Sequence, residues 1–322
     1  MPLDLPSPLV DRAFAVAEAR ALGVGPDRLR RADLRAPHHG VRTRRTAVGL
    51  ADRCRDLVPV LPPGTVFSHT TALALWQLPL PRGLDVEGGP LHVESTGGGR
   101  VRRAGVIGHI GRVDTVGRSE YRVRGLPVVD PLTAWAQSAV GLPLDDLVTV
   151  ADALAGRWSP FAPARAIPVG QLSDRVTAWG SRRNASVLRD ALALARPGVW
   201  SPQETRMRLL LERAGVTGLV PNHPVHDEHD RLVGIADLAD VSARVAIEYQ
   251  GDHHRTDRDT YRSDLQRRED FEDAGWRQVQ ASDDDLGPRS AVFVARVQRL
   301  VIGRGGSPAG DEMSRRAARD QR

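Results

Sequence analysis

Lysine is absent from this chain of 322 residues, so all 45 of its basic side chains are arginines. Any site whose chemistry ordinarily rests on a lysine must here be built without one. Cysteine is almost absent as well: Cys54 alone excludes an internal disulfide and any thiolate zinc cluster. No apolar run approaches the roughly 20 residues that a membrane span needs. The opening Met1-Pro2-Leu3-Asp4-Leu5-Pro6 lacks the basic and apolar regions of a secretory signal. A cytoplasmic, reduced setting without membrane contact is expected.

The length suffices for two or three domains, each with its own core. Charge is unevenly spread. Residues 1–195 hold 25 Arg against 18 Asp and Glu, whereas residues 196–302 hold 15 against 19. A basic half beside an acidic module suggests that one part meets phosphates and the other holds metal.

Val10, Phe14, Ala17 and Ala21 recur at helical spacing and predict a helix over 8–22, ended by Gly23. Pro26 opens a second short helix through Leu34, and Pro37-His38-His39-Gly40 forms a turn. With Val41-Arg42-Thr43-Arg44-Arg45 behind it, this is a winged-helix-like α segment over 1–45 with a basic wing. Arg28, Arg31, Arg42, Arg44 and Arg45 are its candidate nucleic-acid contacts. Residues 46–160 read as a middle α+β domain with strands at 91–94 and 106–110 and helices from Pro131 and Leu144. His69, His92 and His109 stand far apart in the chain and read as structural residues. A connecting helical segment is expected over 161–195, and a disordered tail over 303–322.

Residues 196–302 carry the chemistry. Ser201-Pro202-Gln203-Glu204 is a capping box with proline at the first helical position. Glu204 lies at the edge of the inward face defined by Met207 and Leu211, so a second role as an inward carboxylate is open. Leu232-Val233-Gly234-Ile235-Ala236-Asp237-Leu238 and Val245-Ala246-Ile247-Glu248-Tyr249-Gln250-Gly251 read as buried strands. A hairpin loop over 241–244 sets Asp240 against Val245 and Asp237 against Glu248, with Cβ atoms about 5 Å apart. Two carboxylates that close in apolar surroundings repel unless a proton or cation intervenes, and their hard oxygens suit Mg²⁺ or Mn²⁺. Gln250 shares the face of Glu248 by strand alternation. On the following helix, spacing turns Asp264 and Arg268 inward together.

An Asp on one strand followed by Glu-x-Gln on the next resembles the PD-(D/E)xK core of the restriction endonuclease-like fold. Ser201 with Glu204, Ala236-Asp237-Leu238, Glu248-Tyr249-Gln250-Gly251-Asp252-His253-His254-Arg255 and Arg267-Arg268-Glu269 are similar to an actinobacterial family. The C-terminal domain of that family is related to very-short-patch repair endonucleases. Leu34-Arg35-Ala36-Pro37-His38-His39-Gly40-Val41-Arg42 and Ser68-His69-Thr70-Thr71-Ala72 resemble its other part, an N-terminal region like AbiEi-type antitoxins. The resemblance implies a C-terminal α/β endonuclease-like domain, with Asp237 and Glu248 as metal ligands and Glu204 as an accessory carboxylate. It also implies DNA as substrate and a toxin-like partner protein. Gln250 stands where such nucleases carry lysine; it can orient water but brings no charge. His254 becomes a candidate phosphate contact or general base. The expected function is a divalent-metal-dependent DNA nuclease. Its rival is a DNA-binding regulator of antitoxin type on an inactive nuclease fold.

Overall fold

The computed structural model describes residues 4–95, 99–111, 121–251 and 258–305, with the backbone alone over 258–265. Among these residues eleven α-helices and four small sheets make a mixed α/β protein. Two compact units form: Met1–Leu154 with Ser159–Ala193, and Ala155–Trp158 with Leu194–Arg322. The segment expected at 1–45, all of 46–160 except Ala155–Trp158, and most of the expected connector thus belong to one unit.

In the first unit the continuous helix expected over 8–22 is replaced by three pieces. A 3₁₀ turn Ser7–Leu9 is followed by a strand Phe14–Ala15 and a helix Val16–Ala21. The strand wins because it pairs antiparallel with Val41–Arg42, which buries Phe14 and Val41 completely. Gly23, at φ 82°, turns the chain into a one-turn helix Pro26–Leu29. The anticipated helix pair is therefore present only as fragments, and the wing folds back onto the strand before it.

A four-stranded sheet follows in the spatial order Val66–Phe67, Leu91–Ser95, Val106–Ile110, Arg102–Arg103. Leu91–Ser95 and Val106–Ile110 run parallel, with Glu94 beside His109. Helices His69–Leu75 and Pro131–Ser138 pack together beside it. Asp130 caps the second by accepting the Thr133 amide at 2.9 Å. Fully buried Trp135 donates its indole N–H to the Leu147 carbonyl, so a large apolar body is anchored by a satisfied polar tip.

In the second unit helix Pro202–Arg213 precedes three antiparallel strands, Val220–His226, Leu232–Asp240 and Val245–Tyr249. Helix Arg258–Asp273 leads to strand Arg277–Ala281, which lies parallel to Val245–Tyr249, and helix Ser290–Gly303 closes the chain. Leu238, Ile247 and Val279 bury against Met207, Leu211, Phe293 and Val297 from the first and last helices. Ala239 and Ala246 instead bury with Phe271 and Trp276. The sheet is thus covered on both faces. Strand Val220–His226 has no counterpart in the sequence reading, because Pro221 and Pro224 argue against a strand. They fall on the outer strand of the sheet, the place where proline is tolerated because only one side of the strand has a partner.

Candidate active site

The hairpin register is the anticipated one. Asp240 pairs with Val245, Ala239 with Ala246 and Leu238 with Ile247. The pairing ends there, one step short of Asp237 and Glu248, and the Tyr249 amide donates to Asp237 Oδ2 at 2.8 Å, which holds Asp237 beside the end of the neighbouring strand. Strand alternation places both acids on the side away from Leu238 and Ile247.

Burial pushes the Asp237 carboxyl up to about 7. The Tyr249 amide pulls it down, the charges of Glu204 and Glu248 raise it again, and Arg267 lowers it. Asp237 therefore senses both other acidic candidates, and near neutral pH a proton or cation is needed there.

Glu204 reaches this neighbourhood from the first turn of helix Pro202–Arg213, where it is 5% exposed. The Ser201 hydroxyl accepts the Glu204 amide at 3.2 Å, as a capping residue should. The Glu204 side chain does not return to the Ser201 amide, however. Its Oε2 accepts the Trp200 amide at 2.9 Å and the Asn222 Nδ2 at 2.8 Å. The carboxylate thereby ties the helix start to the outer strand. Among the described residues, Glu204, Asp237 and Glu248 do not close to a common ligand spacing as three side chains.

Glu248 has a cationic partner. Arg267 Nη2 and Nε donate to Glu248 Oε1 at 2.7 and 3.2 Å, and Nη2 also donates to the Ile235 carbonyl at 2.8 Å. The guanidinium lies 5.3 Å from the centre of the Phe271 ring. Gly234 permits this close approach, since a Cβ there would sit 2.8 Å from that ring. The expected inward pair of Asp264 and Arg268 is corrected, because Arg268 is exposed and Arg267 turns in; the Asp264 side chain lies outside the described residues. One residue of helical phase separates the two readings, and the Glu248 carboxylate decides between them. Gln250 follows the strand end half-buried, its amide donating to the Ala281 carbonyl at 2.7 Å. His254 lies outside the described residues.

The five candidate arginines of the first unit divide by their contacts. Arg28 donates to both carboxylate oxygens of Asp33, which also receives Arg44 at 3.2 Å. Arg42 donates to the carbonyls of Leu29 and Val41, each at 2.8 Å, and so joins the short strand to the helix. Arg45 lies 3.7 Å from Asp52, and Arg31 is exposed. Arg42 is therefore a folding residue first, whereas Arg31, Arg44 and Arg45 present charge to solvent.

The histidines that read as isolated meet in space. His69, His92 and His109 bring ligating atoms within 4.8 Å of one another, the one such cluster among the described residues. Sequence separation concealed it, because the parallel pairing of 91–95 with 106–110 is what closes the distance. No protein-family model, curated protein or solved structure matches this chain.

Proposed function

We propose that the second unit is a divalent-metal-dependent nuclease of restriction endonuclease-like type that hydrolyses phosphodiester bonds in DNA. The observation that carries this reading is the half-buried Asp237 carboxyl, which feels the charges of Glu204 and Glu248 and which burial first, and those two charges after it, push toward neutrality. The order of helix, three antiparallel strands, helix, parallel strand and helix supports it as well.

The donor set fits a hard cation. Among the described residues hydrogen bonds reach Oδ2 of Asp237 and Oε1 of Glu248, so Oδ1 and Oε2 are the oxygens an ion would take. Mg²⁺ or Mn²⁺ held there supplies Lewis acidity and a more acidic water. Asp237 and Glu248 hold the site, and Glu204 adds negative charge from the helix start. Gln250 orients a water by hydrogen bonding. Arg267 places a fixed positive charge beside Glu248, in the neighbourhood where Gln250 brings none. Exposed arginines of the first unit, Arg31, Arg44 and Arg45, add phosphate contacts that weaken with salt.

A second reading is favoured by the same Arg267. A guanidinium already paired with Glu248 occupies the electrostatic role of the metal, and Gln250 lacks the lysine charge. On this reading the protein is a DNA-binding regulator on an inactive nuclease fold. Supercoiled plasmid incubated with Mg²⁺ or Mn²⁺ and either the full chain or Asp237→Asn decides between them. Nicking by the unaltered chain alone supports the nuclease. Salt-sensitive retention of DNA without nicking by either protein supports the regulator.

A further inference from the structure

The three histidines of the first unit are a second constellation of possible ligands, independent of the acidic one. His69 opens helix His69–Leu75, and His92 and His109 project from the parallel strands Leu91–Ser95 and Val106–Ile110. His92 Nδ1 and His109 Nε2 are 3.0 Å apart, a distance that requires one shared proton between two neutral rings. The His69 and His109 rings stack with centroids 3.6 Å apart. His69 Nδ1 meets the Ser68 hydroxyl at 3.0 Å, so Nε2 is the nitrogen it offers inward.

We propose that His69, His92 and His109 form a three-imidazole site for a Zn²⁺-class transition-metal ion, with the fourth coordination position open to water. Two observations support it. First, tetrahedral zinc binds imidazole at about 2.0–2.1 Å, which sets donor atoms roughly 3.3 Å apart. The ligating atoms already lie within 4.8 Å of one another, and an ion would turn the stacked rings to bring them to that spacing. In the absence of an ion, the shared proton between His92 and His109 satisfies the same two nitrogens.

Second, the surroundings orient the ligands as outer partners of metal sites do. Ser68 fixes the His69 ring. The His69 amide donates to Gln137 Oε1 at 3.2 Å, and Gln137 Nε2 donates in turn to Oε2 of the buried Glu94. Glu94 follows His92 by two on one strand and pairs with His109 on the next, so all three share one face of the sheet. A carboxyl on the face that the ligands share can offset the cost of placing a dication there.

Imidazole donors select Zn²⁺, Co²⁺, Ni²⁺ or Cu²⁺ over Mg²⁺ and Mn²⁺, so this site and the acidic one differ in the ions they take. An ion here would join the helix start to both parallel strands.

The test is a Co²⁺ titration of the full chain after chelation and dialysis, followed by visible d–d absorption and by metal analysis after gel filtration. The expected result is a single tightly held ion with tetrahedral-type bands that Zn²⁺ bleaches. It is retained in Asp237→Asn and lost in the His92→Gln, His109→Gln double variant. Zn²⁺ should also raise the melting temperature of the unaltered chain by roughly 5 °C. Absence of a stoichiometric ion in the unaltered chain overturns the proposal whatever the variants do. So does an ion kept by the double variant or lost with Asp237→Asn.

Discussion

Arg267 Nη2 bridges Glu248 Oε1 and the Ile235 carbonyl, at 2.7 and 2.8 Å, and so fastens helix Arg258–Asp273 across both strands of the hairpin that carries the acids. Glu248 is only 12% exposed in its side chain, so removal of its partner leaves a poorly solvated carboxylate facing Asp237. Arg267→Gln should destabilise the second unit by about 1–2 kcal/mol in chelator, less than a fully buried pair because the arginine itself is 40% exposed. Mn²⁺ should then restore more stability to the variant than to the unaltered chain, since a cation can take over the charge of the lost guanidinium. Thermal melts with and without Mn²⁺ measure this. Identical Mn²⁺ shifts in both proteins would refute an ion at Glu248.

The Asp237 carboxyl gives the protein a pH signature. Its folded pKa, about 7, lies above the ordinary value of 3.8, so the native state prefers the protonated acid. The associated stability is fully present below about pH 4 and is lost as pH rises through 7. For a partly open site solvent screening reduces the effect to roughly 1–2 kcal/mol. In chelator, Asp237→Asn should be more stable than the unaltered chain at pH 8 and lose most of that advantage by pH 5. Urea unfolding at the two values tests it. Equal pH slopes would show that Asp237 ionises in its ordinary range.

Glu204 has a structural task and a proposed electrostatic one, and two substitutions separate them. Glu204→Gln preserves an oxygen for the Trp200 amide and for Asn222 Nδ2, so stability should change little. Glu204→Ala removes both acceptances and should cost about 1–2 kcal/mol. If Glu204 contributes charge to the metal site, both variants lower Mn²⁺-dependent nicking by about tenfold or more. Nicking that falls only with Glu204→Ala would reduce the residue to a strut.

The hairpin register, the cap at Ser201 and the buried stripe of Met207 and Leu211 were legible in the sequence because each depends on neighbours within a few residues. The parallel strand pair of the first unit was legible as two apolar segments but not as a pairing, and the histidine cluster exists only through that pairing. The strand at 220–226 was hidden by its prolines, which only its outer position makes harmless. Helical phase misled at Arg268 by one residue: spacing weighs every apolar contact alike, whereas the Glu248 carboxylate recruits a specific guanidinium. Phe14 fits the helical spacing of its neighbours, and only the pairing with Val41–Arg42, more than twenty residues on, makes it a strand residue.

The arginines of the first unit should separate in the same way. Arg42→Ala removes donors to the Leu29 and Val41 carbonyls and should cost about 1–2 kcal/mol of stability. Arg31→Ala and Arg45→Ala should leave stability within about 0.5 kcal/mol. If they touch phosphates, each lowers the slope of log binding against log salt by about 1. DNA retention measured across a salt series provides the slope. Unchanged slopes in both variants would remove this segment from the DNA-binding surface.

Gln250 offers the sharpest separation of enzyme from inactive fold. Its backbone is already fixed by the Ala281 carbonyl, so Gln250→Lys alters the side chain without disturbing the strand end. An ammonium there adds a charge that can stabilise a phosphate in the transition state, an effect of about 10²-fold where such donors are well placed. If Asp237 and Glu248 hold a catalytic ion, nicking by Gln250→Lys should rise by about that factor in Mg²⁺, and the gain should vanish when Asp237→Asn is added. A gain that survives Asp237→Asn would place the chemistry elsewhere. No gain, in a variant that still binds Mn²⁺, would mean that Arg267 already neutralises the site and that the hydrolytic role of this fold has been given up.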